Sequence, residues 1–435
     1  MSDTPNAPES TQIGLTRRNW LAAAGTLPLA AACVNAPPGS AQEAPAPIGG
    51  PDFPALADFP NLNVTYLDSG STHPFSVGAR AAVNQYLIGR SQSGPPQPSI
   101  DREKIVTDNF AKLINAAPEE LAFIQSTSAG EQMAVRALGI PESGGRIVSD
   151  ALHFFGSWHL YNELERQGME VVVVKMRDDG RIHFEDMAAA VNDRTKLVAV
   201  SAVSTINGFR HDLKKLTDLA HAHGAHIYVD AVHAVGAVPF DVKATGIDMM
   251  ATSSYKWLMG DFGLGFMYAR ADLIPKLKRP QAGYYQTGGV VTHMYPFDPP
   301  GARHADLTPR SDATGLFAMG TFSEIGLAHL SYSLPYLNRV GVDRIQAYRQ
   351  PLVNKARIEI SKMNKGFAPM TPDDCTSALV AFGYPDARDK MQKLVTDAKL
   401  RITLSRNRFR LSPSVFNTMA DIDKALDVIS SVPKV

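Results

Sequence analysis

Tyr228-Val229-Asp230-Ala231-Val232-His233 and, past Ile247-Asp248, the run Ser253-Ser254-Tyr255-Lys256-Trp257-Leu258 decide how this chain folds. Ile227–Asp230 is a short apolar run closed by an acid. Met249–Thr252 is a second such run, and Lys256 lies just past it. Runs that are apolar at nearly every position are expected of strands buried on both faces of a sheet. Five more stand around them: Leu121–Ile124, Arg146–Ser149, Val171–Val174, Leu197–Ser201 and Leu264–Tyr268. Helical stretches separate them. The clearest is Leu213–His223, with Leu213, Leu216, Leu219 and Ala220 on one face and Gly224 as its C-terminal stop. Strand and helix in alternation predict an α/β fold with a mostly parallel sheet flanked by helices. Such sheets bind ligands at the carboxyl ends of their strands. Asp230 and Lys256 should both emerge there.

Beyond about Pro299 the pattern changes. Two long helical stretches, Phe322–Leu337 and Val342–Met363, precede the short runs Ala378–Phe382, Ala387–Ala398, Leu400–Leu404, Arg408–Leu411 and Met419–Ser430. The expected organisation is a large domain over 46–300, with its N-terminal segment, and a smaller α+β domain over 301–435.

At 435 residues the chain can fill two cores. Lys plus Arg and Asp plus Glu both number 43, so the net charge is zero. Nothing in that balance points to nucleic acid or an anionic membrane. Two cysteines, Cys33 and Cys375, cannot build a disulfide framework or a thiolate zinc site.

Residues 1–45 read as an export signal and linker. Arg17-Arg18 precede an alanine-rich apolar run that ends near Ala32, shorter than the roughly 20 residues of a membrane span. A paired arginine before such a run is a twin-arginine signature, so the twin-arginine translocase is an expected partner and the periplasm the expected location. Val34-Asn35-Ala36 offers a peptidase site. Ala30-Ala31-Ala32-Cys33 is a weaker lipobox lacking its leucine, which leaves lipoprotein anchoring at Cys33 as the alternative. Twin-arginine export carries folded proteins, which suits a chain that takes up a cofactor before crossing.

An acid at one strand end and a lysine beyond the next suit pyridoxal phosphate (PLP), whose aldehyde a lysine amine engages as a Schiff base. Alone, the pair would as readily be a plain ion pair. The wider pattern is more specific. Asp230-Ala231-Val232-His233, Ile247-Asp248, Ser253 to Leu258 and Gly263-Leu264-Gly265 together resemble the core of class V aminotransferases, PLP enzymes of fold type I. Tyr66 to Pro74 is similar to that family's opening segment, and Ser126-Thr127-Ser128-Ala129-Gly130 to its phosphate loop. Arg410-Leu411-Ser412 with Phe416-Asn417-Thr418 resembles its C-terminal motif. Within the family, isopenicillin-N-epimerase-like and cysteine-desulfurase-like proteins are the nearest in pattern.

The resemblance implies roles. Lys256 would hold the cofactor, Asp230 would pair with its pyridine nitrogen, and His233 would lie beside the ring. A Ser/Thr turn at a helix N-terminus presents N–H groups to an anion, so Thr127 and Ser128 would hold the phosphate with Ser253. Tyr255 stands where histidine is frequent. Thr205 stands where relatives carry an asparagine that touches the phenolic oxygen. Phe154 is aligned to stack on the ring, with His153 the runner-up. Arg410 would fork onto a substrate carboxylate, with His73 a weaker substrate contact. Taken singly, each could be an ordinary cap, core aromatic or surface charge. His221, His223 and His226 straddle a helix end and are read as solvated surface rather than a metal site. Gly260–Gly265 is no dinucleotide fingerprint, because the lysine precedes it.

Leu400–Arg410 contains no cysteine, and Cys375 reads as a core residue, so persulfide chemistry is demoted. The expectation is an enzyme acting at the amino group or α-carbon of an amino acid or peptide-like metabolite, by epimerisation, transamination or elimination. An exported scaffold that kept the fold without turnover is the alternative from another class. The resemblance also implies a homodimer, with Gly283–Gly289 reaching toward the partner.

Overall fold

The structure, a computed structural model, describes residues 53–93 and 100–434, so the export reading of residues 1–45 and Cys33 lies outside the described residues. The described residues form one compact unit. Among the described residues no helix is long and apolar enough to cross a membrane.

Seven strands make the central sheet: β1 (Leu121–Ile124), β2 (Arg146–Asp150), β3 (Glu170–Val174), β4 (Thr195–Ser201), β5 (His226–Asp230), β6 (Met249–Ser253) and β7 (Gly265–Ala269). Their order is β1-β7-β6-β5-β4-β2-β3. The pairs β2–β3, β2–β4, β4–β5 and β5–β6 are parallel, and only β7 runs against its neighbours. Period-two alternation sends Val198, Val200, Ile227, Val229 and Met250 into one core, and Leu197, Ala199, Tyr228, Met249 and Ala251 into another across the sheet. That two-sided burial is why the strands are apolar at nearly every position.

Helix α1 (Thr127–Ala137) lies very close to β6. A Cβ on Gly130 would stand 2.5 Å from the Ala251 Cβ, so glycine sets how near the helix comes. Helix α2 (Leu213–Ala222) buries Leu213, Leu216, Thr217 and Ala220, and Gly224 follows at φ +69°. Helix α3 (Glu324–Val340) packs on helices Val77–Ser93 and Ile100–Ile114, and its Leu327, Leu330, Leu334 and Leu337 join one of the sheet cores.

A third core gathers Leu67 with Leu352 and Val353 of α4 (Val342–Lys362), Ile422 and Ala425 of α5 (Met419–Ser430), and residues of a second sheet. A solvent-facing hairpin, β8 (Thr287–Thr292) with β9 (Ala305–Pro309), precedes that sheet in the chain. The second sheet comprises β10 (Ala368–Pro369), β11 (Val380–Gly383), β12 (Thr403–Ser405) and β13 (Arg408–Leu411), in the order β10-β11-β13-β12.

Two of the expected elements differ for identifiable reasons. Helix α3 starts at Glu324 rather than Phe322, because Ser323 caps it by accepting from the Gly326 N–H. The run Leu400–Leu404 is two strands with different partners. Leu400–Arg401 pairs in parallel with Thr65–Tyr66, whereas Thr403–Ser405 pairs with β13. That first pairing ties the opening segment to the C-terminal sheet.

Candidate active site

The carboxyl ends of β4, β5 and β6 bring distant residues to one cleft. It is lined by Ser126, Thr127, Ser128, Phe154, Ser201, Thr205, Asp230, Val232, His233, Ser253, Tyr255 and Lys256.

On one side, Ser126 caps α1, its Oγ accepting from the Ala129 N–H at 3.2 Å. The Thr127 N–H donates to Ser253 Oγ at 3.1 Å, and the two hydroxyls lie 2.9 Å apart. The first turn of a helix has no internal acceptor for the Ser128 N–H. Two hydroxyls and helix N–H groups thus converge where an anion can sit.

At the floor, the Asp230 carboxylate is buried and accepts from the Val232 N–H at 3.0 Å. No cation among the described residues pairs with it within salt-bridge distance. Burial raises its pKa, against the pull of His153, the Val232 N–H and Lys256. Behind it, His153 spans from Ser201 Oγ (2.9 Å) to Glu131 Oε1 (2.9 Å), and Ser157 and Tyr161 also donate to Glu131. Burial opposes charge on both members, but their mutual attraction wins, lowering the Glu131 pKa and raising that of His153. His153 is therefore committed to this network, while Phe154 lines the cleft. The Phe154 ring lies over Gly156, where an added Cβ would come within 2.4 Å of it.

Lys256 is buried, with Nζ 3.0 Å from His233 Nε2. Burial pushes its pKa down to about 8, Asp230 resisting and Arg410 adding to the fall. Tyr255 stacks on Phe262, with centroids 4.3 Å apart, and its ring edges the cleft.

Arg410 comes from β13 and is buried. Nη1 donates to Thr205 O and Oγ1, both at 2.8 Å, and Nη2 donates to Ser71 Oγ and Thr403 Oγ1, both at 3.0 Å. Its Nε is buried without a partner among the described residues. Burial lowers its pKa to about 10.

Two expectations need correction. His73 does not line the cleft. Its Nδ1 meets Pro74 O and its Nε2 meets Ser414 Oγ, both at 2.8 Å, so the ring pins the opening segment to the C-terminal motif. Thr205 does line the cleft, and its hydroxyl, which accepts from Arg410, keeps its own proton to donate. His221 and His226 are not merely solvated, because both approach the fully buried Asp248, at 3.0 and 3.5 Å, alongside Arg270. The sequence reading also missed Glu131, Ser201 and Trp257. Of these only Glu131 carried a signal, as an acid on the inner face of a helix.

The aminotransferase class-V family matches residues 66–405. The chain belongs to that family. Its members are PLP enzymes of fold type I, and this chain is a class-V enzyme with that cofactor. Among relatives, a probable cysteine desulfurase of Methanothermobacter thermautotrophicus is 26% identical, the alignment covering 72% of this chain and 75% of the relative. A cysteine desulfurase of Klebsiella pneumoniae is 29% identical, covering 69% and 75%. Among solved structures, the cysteine desulfurase CsdA of Escherichia coli superposes with a TM-score of 0.75 at 20% identity, over 87% of this chain and 98% of that one. A C-DES variant with glycine covalently linked to its PLP cofactor gives 0.77 at 16% identity, over 88% and 100%.

The class-V cleft fits PLP on its own chemistry. Its lining includes an anion cradle, a buried carboxylate without a cation beside it among the described residues, an aromatic ring and a desolvated lysine.

Proposed function

We propose that this class-V enzyme acts at the amino group or α-carbon of an amino acid or small peptide-like metabolite, in the manner of isopenicillin-N-epimerase-like proteins. The observation that carries the reading is Lys256, buried, of lowered pKa and in one cleft with Asp230. When bound, PLP supplies an electron-accepting ring that stabilises negative charge at the substrate α-carbon. Thr127, Ser128 and Ser253 would hold its phosphate. The Asp230 carboxylate would hold a proton on the pyridine nitrogen, the cation it otherwise lacks. Phe154 would pack against the ring. Lys256 would anchor the cofactor and carry the proton at the α-carbon. Arg410 would orient the substrate carboxylate by exchanging the hydroxyls of Thr205, Ser71 and Thr403 that now hold its Nη groups.

Sulfur transfer is the second reading, favoured by the names of the relatives. It requires a thiol at the cleft, and none of the described residues that line it is a cysteine. Cys375 lies elsewhere, donates to Gly208 O at 2.9 Å, and is held protonated by burial.

The enzyme acts in the periplasm as a symmetric homodimer. Arg17-Arg18 and the apolar run after them support export through the twin-arginine translocase. Val290, Val291 and Leu307, exposed on the hairpin just past Gly283–Gly289, support the dimer.

Absorption spectra of the parent and Lys256→Ala, with amino acids titrated in, test this. A violet band in the parent, altered in the variant and perturbed by an amino acid without sulfide release, is the expected result. Sulfide release from cysteine that Cys375→Ser abolishes would replace it with sulfur transfer. A parent that takes up no PLP would overturn both.

A further inference from the structure

Trp257 directly follows the cofactor lysine and is buried, yet its indole does not line the cleft. It reaches back instead: Nε1–H donates to His233 Nδ1 at 3.2 Å. An indole N–H can only donate. The Nδ1 that accepts it must therefore present a lone pair, and a neutral imidazole with a bare Nδ1 carries its proton on Nε2. That Nε2 lies 3.0 Å from Lys256 Nζ. An Nε2–H pointed at an amine needs a lone pair to receive it, and an ammonium has none.

We infer that Trp257 is a positioning residue, fixing His233 as its Nε2–H tautomer and so presenting Lys256 as a free amine. This deepens the reading of Lys256 as the cofactor lysine and rests on it. Condensation of an amine with an aldehyde forms one C=N bond and releases one water, and the pair of electrons that begins it is the lone pair an ammonium lacks. A lysine met by a bare Nε2 would instead donate to it, and the ammonium would be favoured.

The surroundings agree. His233 is buried and kept neutral by that burial, with the Arg410 charge adding to the effect. Lys256 faces His233 and feels Asp230 and Asp68, which favour its charge, and Arg410, which opposes it. Trp257 is itself held at its ring and at its backbone. The Arg349 guanidinium stands 5.3 Å from its ring centroid, buried and anchored to Ala237 O at 2.6 Å, with Nε and Nη1 otherwise unpartnered among the described residues. At the backbone, Gly236 (φ +84°) packs so near that a Cβ there would lie 2.4 Å from the Trp257 carbonyl oxygen. A cation over an indole face is attracted to its π cloud.

The test uses full-length protein stripped of PLP. Nitrogen-15 NMR on histidine-labelled protein, assigned with His233→Gln, should show His233 protonated on Nε2 in the parent. It should show a mixture or the reverse in Trp257→Phe, which keeps the ring and deletes the donor. The rate of PLP uptake against pH should be half-maximal near pH 8 in the parent. In Trp257→Phe that midpoint should rise by about one unit, a roughly tenfold slower uptake at pH 7. Proton on Nδ1 in the parent overturns the inference even if no variant folds. Identical tautomer and pH profile in a folded Trp257→Phe also overturns it. Failure of PLP uptake in the parent, with Nε2 protonated, would instead count against Lys256 as cofactor lysine.

Discussion

Ser253 Oγ, at the end of β6, receives the Thr127 N–H at 3.1 Å and shares a second hydrogen bond, 2.9 Å long, with the Thr127 hydroxyl. One hydroxyl thus joins the phosphate-binding helix end to the strand that leads to Lys256. Ser253→Ala removes both bonds and one cradle donor. We expect PLP to bind about tenfold more weakly, the equivalent of about 1.4 kcal/mol, with little change in folding. Equilibrium dialysis checks it; unchanged affinity would remove Ser253 from the phosphate site.

Gly156 leaves room for the Phe154 ring. Alanine there would drive the ring off its place or bend the turn, and overpacking of this kind costs about 1–3 kcal/mol. The Gly156→Ala protein should fold but bind PLP more weakly, with an altered near-ultraviolet dichroism of the bound cofactor. A parent-like spectrum and affinity would show that Phe154 does not cover the ring.

Burial lowers the His73 pKa from 6.5 to about 4, with the positive field of His329 adding to it. A depressed folded value means that the unfolded chain binds the proton more readily. Its stabilising effect is complete above pH 6.5 and is lost as the pH falls toward 4. Each unit of depression is worth about 1.4 kcal/mol. Urea unfolding between pH 7.5 and 4.5 should show stability falling, and His73→Gln should flatten part of that slope. A slope identical in the variant would mean that other groups carry it.

Asp248 is fully buried and gathers His221, His226, Arg270 and the Ile227 N–H. Asp248→Asn leaves Arg270 without its charge partner and removes an acceptor from the cluster, at a cost of about 3 kcal/mol. Denaturant midpoints of parent and variant measure it. PLP affinity should survive, since the cluster is at the opposite, amino end of β5.

Much of the fold was legible because both faces of the sheet are covered. Ile227–Asp230 and Met249–Thr252 read as strands from their apolar runs alone, and the structure extends each by a single residue. The hairpin β8–β9 escaped because its Thr287-Gly288-Gly289 start has little strand propensity and it is packed on neither face. At the site, the residues that motif spacing placed together do share a cleft, apart from His73 and Arg410, which borders it behind Thr205. What stayed hidden was pairing through space. Nothing local shows that Glu131 meets His153, that Trp257 turns back to His233, or that Thr205 serves Arg410. Those contacts depend on side-chain direction across elements far apart in the chain.

Thr65–Tyr66 pairs with Leu400–Arg401, and Arg410 reaches Ser71 and Thr205. These contacts join the beginning of the described chain to its last tenth. Synthesis proceeds from the N-terminus, and early segments fold first. The sheet with Asp230 and Lys256 can therefore assemble while the polypeptide is still growing, but the strand carrying Arg410 emerges only later, after β10, β11 and β12. Until then Ser71 and Thr205 stand without the guanidinium that later joins them.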